Sequence, residues 1–222
     1  MKFRLVLAAL VGAACFVSSC GGDDDPAPME PIDETPPVRS APESLLTSWF
    51  ERAYNTQDAD LYEEMLDAGF TFRFLPENAD EFELELGLDE NDSWSRSKDI
   101  QSTTNMFNDN GVLGVSLNIA SINNNDYSGG DCEDCLELTA NISVRVTTDE
   151  PGDDDLVRVT DSPQVFLVRP DPADTTLWVL FRQLDRPAPG KMSSDGNGER
   201  GISSNEVKTW GEVKAEFYSP GR

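Results

Sequence analysis

Apolar residues recur at two different periods along this chain, and the change from one period to the other divides it. Leu45, Leu46, Trp49, Phe50, Ala53 and Tyr54 fall three and four apart, the spacing of one helical face. Asn55 to Asp58 interrupts that face. Asp58 can accept from the free N–H groups of a helix start, which predicts a second helix with Leu61, Tyr62, Met65 and Leu66 inward and Gly69 as its C-terminal stop. Phe70, Phe72 and Phe74 then alternate with Thr71 and Arg73, a short strand. Phe82, Leu84 and Leu86 alternate among acids and fit an edge strand or a helix. Ser93 or Ser95 caps a third helix carrying Ile100, Thr104 and Phe107, which ends near Asn110-Gly111.

Beyond Gly111 the period becomes two. Val115, Leu117 and Ile119 alternate with polar residues, and Leu136, Leu138, Ala140, Ile142, Val144 and Val146 form the cleanest alternation in the chain. Glu150-Pro151-Gly152-Asp153 predicts a turn, followed by Val157, Val159 and the run Val165 to Val168. Pro163 has no N–H to give a ladder and marks a bulge or an edge. Leu177 to Leu184 is nearly continuous in apolar residues, as expected of a strand buried on both faces.

The two ends read differently. Met1-Lys2-Phe3-Arg4 is a basic start to the apolar run Leu5 to Val17, which is too short to cross a bilayer as a helix. Gly21 to Ala41 is rich in Pro and Asp and cannot bury enough surface to offset chain entropy, so it is expected to be a disordered tether of about 65 Å at full polyproline extension. Gly190 to Gly201 is a second linker. Ser203-Ser204-Asn205-Glu206 has the form of a capping box, and Val207, Trp210, Val213 and Phe217 follow at helical spacing. So short a helix is marginal alone in water, and its aromatic face needs a surface, either its own domain or a partner. The expected organisation is a leader over 1–19, a tether over 20–41, a folded domain over 42–188, a linker over 189–202 and a C-terminal helix over 203–222.

Val17-Ser18-Ser19-Cys20 resembles the bacterial lipobox, an aliphatic residue and two small ones before the cysteine that is acylated. The resemblance implies a lipoprotein signal peptide, a mature chain beginning at Cys20, and a bilayer partner reached through the acylated Cys20. Two or more acyl chains hold a protein stably on a membrane. Gly21, where an Asp would imply retention in the inner membrane, implies the outer membrane of the cell envelope.

The element order is helix, helix, short strand, helix, then four long strands joined by hairpins. With Trp49-Phe50-Arg52-Ala53-Tyr54-Asn55 and Asp58 to Leu66, this looks like the nuclear transport factor 2-like (SnoaL-like) family over about Glu43 to Pro187. The resemblance implies an α+β fold, a cone-shaped curved antiparallel sheet packed on three helices, with a pocket inside the cone. The competing reading is another α+β domain with its helices on one sheet face. Trp49, Phe72, Phe107, Ile142 and Phe181 are the expected pocket-lining residues, which ordinary core packing would also use.

The 222 residues carry a net charge of −25, and the leader removes Lys2 and Arg4 but no acid, so the mature surface is more acidic still. Such a surface repels phosphate, which excludes nucleic acid as a partner. The chain has no histidine, which removes Ser-His-Asp and Cys-His catalysis and histidine-ligated metal. Family enzymes place a His-Asp or Tyr-Asp pair in the cone. Tyr54 or Tyr62 with Asp58 or Asp99 could form one here, but both tyrosines fall at core spacing, so no catalytic residue is assigned, and no metal or cofactor is expected. Cys132 and Cys135 lie in a loop before a strand, among acids that discourage a thiolate, which favours a small-ring disulfide. Asp153-Asp154-Asp155 reads as a solvated acidic turn rather than a calcium loop. Three functions stay open. One is a non-catalytic envelope lipoprotein binding a small apolar ligand or an envelope protein. Another is an isomerase, dehydratase or hydrolase using carboxylate and tyrosine, and the third is a structural protein, with the sheet face available for a homodimer.

Overall fold

The computed structural model describes residues 38–76, 79, 86–132, 134–150, 153–186 and 208–218. The leader, Cys20, most of the tether, the Phe82–Leu84 stretch, the second linker and the Ser203–Glu206 box lie outside the described residues. So do the side chains of the acidic turn at Asp153-Asp154-Asp155.

The folded part begins ahead of the expected Pro42 boundary. Arg39 is buried, with its guanidinium 4.7 Å over the Trp49 ring and Nη1 donating to the Glu64 carbonyl at 3.1 Å. Its own carbonyl accepts from the Trp178 amide at 2.9 Å. A guanidinium with a planar face and forked donors suits this place between an aromatic ring and carbonyl oxygens.

Pro42–Ser44 (α1), a π-helical turn Leu45–Phe50 and Glu51–Asn55 (α2) follow one another without a break. Pro42 fits the first helical position, where its missing N–H is not needed. The wider π turn lets Leu45, Leu46, Trp49 and Phe50 all face inward. Gln57, with φ 51°, breaks the chain direction, and Asp58 caps Ala59–Glu64 (α3) by accepting from the Leu61 amide at 2.9 Å. Gly69, the expected stop of that helix, instead lies inside the strand Leu66–Arg73 (β1). The helix ends earlier because Leu66 already pairs with Leu180 in the sheet.

Ser93–Ser95 (β2) leads into Arg96–Asn108 (α4), with Ser95 as its N-cap. Val112–Asp126 (β3), Leu136–Glu150 (β4), Asp153–Pro170 (β5) and Trp178–Leu184 (β6) form a meander, and Trp210–Phe217 (α5) closes the described chain. The sheet order is β2-β1-β6-β5-β4-β3. All pairs are antiparallel except β1 with β6, so the sheet is mixed at the point where the end of the meander meets the early strand. Breaks in register at Val112/Gly114, Ile119/Ser121 and Leu167/Val168 bend the long strands, as bulges do.

The helices and the inner sheet face share one core. Leu138, Ala140, Ile142, Val144 and Val146 of β4 are fully buried in it, as their alternation predicts. Pro163 pairs opposite Asn141 of β4, but β6 ends with Leu184 opposite Val165. The Pro163 nitrogen therefore sits where β5 has no second neighbouring strand among the described residues. In β6, Leu180 enters the core while Val179 is buried outside it, so this strand is covered on both faces.

Candidate functional site

The inward face of α4 is polar. Asp99, Ser102 and Thr103 are buried beside Met106 and Phe107. A carboxylate this deep is tolerable only with hydrogen bonds and a counter-charge. Asp99 has both. The Trp94 indole Nε1 donates to Oδ1 at 3.3 Å, the Tyr62 hydroxyl donates to Oδ2, and the Lys214 ammonium donates to Oδ1. Lys214 Nζ also donates to the Tyr62 hydroxyl oxygen at 2.9 Å, which closes a ring of three groups drawn from α3, α4 and α5. Of the tyrosine–aspartate pairs open in the sequence, the fold builds Tyr62 with Asp99. Asp58 is a helix cap, and Tyr54 lies 3.4 Å from the Thr103 hydroxyl.

Lys214 reaches this place because α5 packs on α4 and against the Phe72 and Tyr54 rings. Thr209 and Glu212 form a reciprocal capping box, with the Thr209 amide donating to Glu212 Oε2 at 2.6 Å and the Glu212 amide donating to Thr209 Oγ1 at 3.2 Å. The helix so capped presents Trp210, Val213 and Lys214 on one buried face. Ser102 donates to the Lys214 carbonyl at 2.6 Å, and Asn105 Nδ2 to the Phe217 carbonyl at 2.9 Å, which ties the last turn to α4. At the first turn, the Gly211 amide donates to the buried Asp185 carboxylate at 3.0 Å. A Cβ at Gly211 would stand 2.7 Å from Asp185 Oδ2 and 2.8 Å from the Phe74 ring, so only glycine permits this approach.

The charges are held under strong desolvation. Burial pulls the Lys214 ammonium below its usual value near 10.5, and Asp99, then Asp185, oppose that fall. Burial holds the Asp185 carboxyl above the ordinary range despite bonds from Gln164, Gly211 and Arg186. The Tyr62 and Tyr54 phenols are pushed well above 10, by burial first and by the Asp99 charge second. The folded state therefore keeps phenol protons that the unfolded chain releases, so stability falls as pH climbs past about 10. In an ultraviolet titration of the four tyrosines, fewer phenolates should form near that pH in the native protein than in the unfolded one. Coincident curves would place both phenols in solvent.

Trp49, Phe72, Phe107 and Ile142 all lie in the core, but only Phe72 borders the buried charges, with its ring 4.8 Å from Lys214 Nζ. Phe181, expected to line the pocket, does not enter the core. Leu180 takes the inward position, so Phe181 faces outward between the guanidinium groups of Arg169 and Arg182, at 4.8 and 5.2 Å. Arg169 pairs with Asp67 at 2.7 Å and Arg182 with Asp131 at 2.7 Å. Cys132 and Cys135 form a disulfide, Cα atoms 5.5 Å apart, in the loop that carries Asp131. Trp94, Asp185 and Lys214 were not singled out from the sequence. A lysine within the face set by Trp210, Val213 and Phe217 was the available signal.

A surface cleft of about 360 Å³ lies beside the last turn of α5, lined by Asp109, Gly111, Val112, Thr148, Glu216 and Phe217. Among the described residues no group of acids is arranged to hold a metal ion. Among them, too, no helix is long and apolar enough to cross a membrane.

No family model matches this chain, and neither does any curated protein. Solved structures do resemble it. A nuclear transport factor 2-like superfamily protein from Salmonella enterica serovar Typhimurium matches with a TM-score of 0.45 and 10% identity, over 67% of this chain and 90% of that one. A nuclear transport factor 2-like protein from Pseudomonas putida gives 0.41 and 10%, over 64% and 80%. A ketosteroid isomerase-like protein from Erwinia carotovora atroseptica gives 0.41 and 13%, over 69% and 95%. The fold is α+β and similar to theirs. No residue role is carried over from them.

Proposed function

We propose that this chain is a lipid-anchored protein of the bacterial envelope whose curved sheet forms a gated, non-catalytic binding cup, closed at rest by α5. The observation that carries the gating is the complete burial of Trp210 and Lys214 against Tyr62 and Asp99. A ligand reaches those groups only when α5 lifts, and the surface cleft beside Phe217 is where lifting would begin.

The catalytic alternative would use Tyr62 and Asp99 on a substrate in the opened cup. General acid–base work is most efficient when the pKa lies near the working pH. Burial drives Tyr62 the other way, which favours binding over chemistry. A structural role through the outer sheet face has less support. Val38 and Leu113 are the exposed large apolar side chains among the described residues, too few to form a docking patch.

Two measurements test the proposal. In hydrogen exchange, the α5 amides should exchange through an opening that costs less free energy than global unfolding. If they exchange only with the whole domain, the gate does not exist. For the anchor, Cys20→Ser should move the protein from the detergent phase to the aqueous phase. A variant that partitions like wild type would remove Cys20 as the lipid site.

A further inference from the structure

Lys214 occupies the cup as a bound ligand would. Its ammonium has two oxygen partners, Asp99 Oδ1 and the Tyr62 hydroxyl, and two ring faces that belong to the cup itself, Phe72 at 4.8 Å and Tyr62 at 5.3 Å. A carboxylate beside aromatic faces is the combination that holds an ammonium group out of water, through charge on one side and ring quadrupoles on the others.

The charge balance of the interior points the same way. Asp99 and Asp185 both project into it, 0% and 4% exposed, from α4 and from the residue after β6. Lys214 is the one cation among the described residues that meets either of them, and it belongs to the element that moves. With α5 lifted, the cup keeps its carboxylates and ring faces and loses the only counter-charge found among the described residues. An anionic ligand would meet repulsion there, and a neutral apolar one would leave the Asp99 charge without a counter-ion in a dry site. The Trp94 and Tyr62 donors already serve Asp99 and hold its oxygens in place, so the cage survives the departure of the helix.

We propose that the opened cup is a binding site for primary alkylammonium compounds, with Lys214 as the tethered occupant that such a ligand replaces. This rests on the gated-cup reading above and names its ligand class.

The test uses the full chain with Lys214→Ala and n-propylammonium chloride, which restores the deleted carbons and the charge. At about tenfold its dissociation constant, propylammonium should raise the Tm of the variant by roughly 3 °C or more. Propan-1-ol and sodium chloride at equal concentration should not, and adding Asp99→Asn should abolish the shift. Equal effects of propylammonium and propanol, or none from either, would overturn the ammonium site. Should Lys214→Ala fail to fold, the yield on refolding with propylammonium against propanol is read instead. A gain with the amine alone supports the site, and no difference overturns it. A synthetic peptide of residues 208–218 forms a second arm: peptide binding without propylammonium binding would assign the cage to helix-borne lysine and overturn the small-amine reading. Hydrogen exchange separates the two levels. Slow opening of α5 with no amine rescue removes only the ligand class, whereas α5 amides that exchange only on global unfolding remove the gate.

Discussion

Lys214→Met is expected to destabilise the protein by roughly 3–5 kcal/mol, the cost of leaving a buried charge without its partner. A fully exposed pair would cost about 0–1 kcal/mol. The difference is decided by burial, since neither Lys214 nor Asp99 touches solvent. Methionine keeps most of the volume and the ring contacts, so the loss reports the stranded Asp99 rather than a cavity. Adding Asp99→Asn should recover more than half of it. A neutral amide still accepts from Trp94 Nε1, and replacing a buried ion pair with uncharged groups of similar size is often close to neutral. Urea unfolding of the single and double variants measures both quantities. A single variant as stable as wild type would mean that Lys214 is solvated.

Trp210→Ala should cost about 3–5 kcal/mol, as expected for truncating a fully buried large aromatic residue. The indole packs 5.2 Å from the Tyr54 ring and is fully buried, so much of the α5 packing goes with it. Trp210→Phe should cost clearly less. Among the described residues the indole Nε1 has no hydrogen-bond partner in its buried position, and phenylalanine removes that unsatisfied donor while keeping much of the ring contact. The same urea curves decide. Equal losses for alanine and phenylalanine would mean that the Nε1–H finds a partner.

How far the sequence reveals this protein depends on which signal each element uses. β4 is legible because burial on one face imposes period two from Leu138 to Val146. The first two helices are legible because their inward positions are apolar and Asp58 supplies a cap. α4 is not. Spacing of apolar residues turns its buried face toward Ile100, Thr104 and Phe107, whereas the buried set is Asp99, Ser102, Thr103, Met106 and Phe107. One residue is a rotation of about 100° on a helix, so polar residues at core positions mislead a hydrophobic count. Phe181 fails for the related reason that β6 is apolar on both faces, and alternation cannot say which residue enters the core. Trp210, Val213 and Phe217 make the C-terminal helix legible, and its described part starts at the Thr209–Glu212 box, while Ser203–Glu206 lies outside the described residues. The buried Tyr62–Asp99–Lys214 cluster joins residues distant in sequence, and only the tertiary fold brings the lysine to a pair the chain had offered.

The proposed gate requires α5 to lie against the inner face with its lysine among the aromatic rings. Proton NMR of the wild-type protein tests this directly, because ring currents shift protons held over ring faces. The Lys214 side-chain methylene resonances should move well upfield of exposed lysines and show nuclear Overhauser effects to the Tyr62 and Phe72 ring protons. Lys214 resonances at exposed-lysine positions, without contacts to either ring, would contradict it.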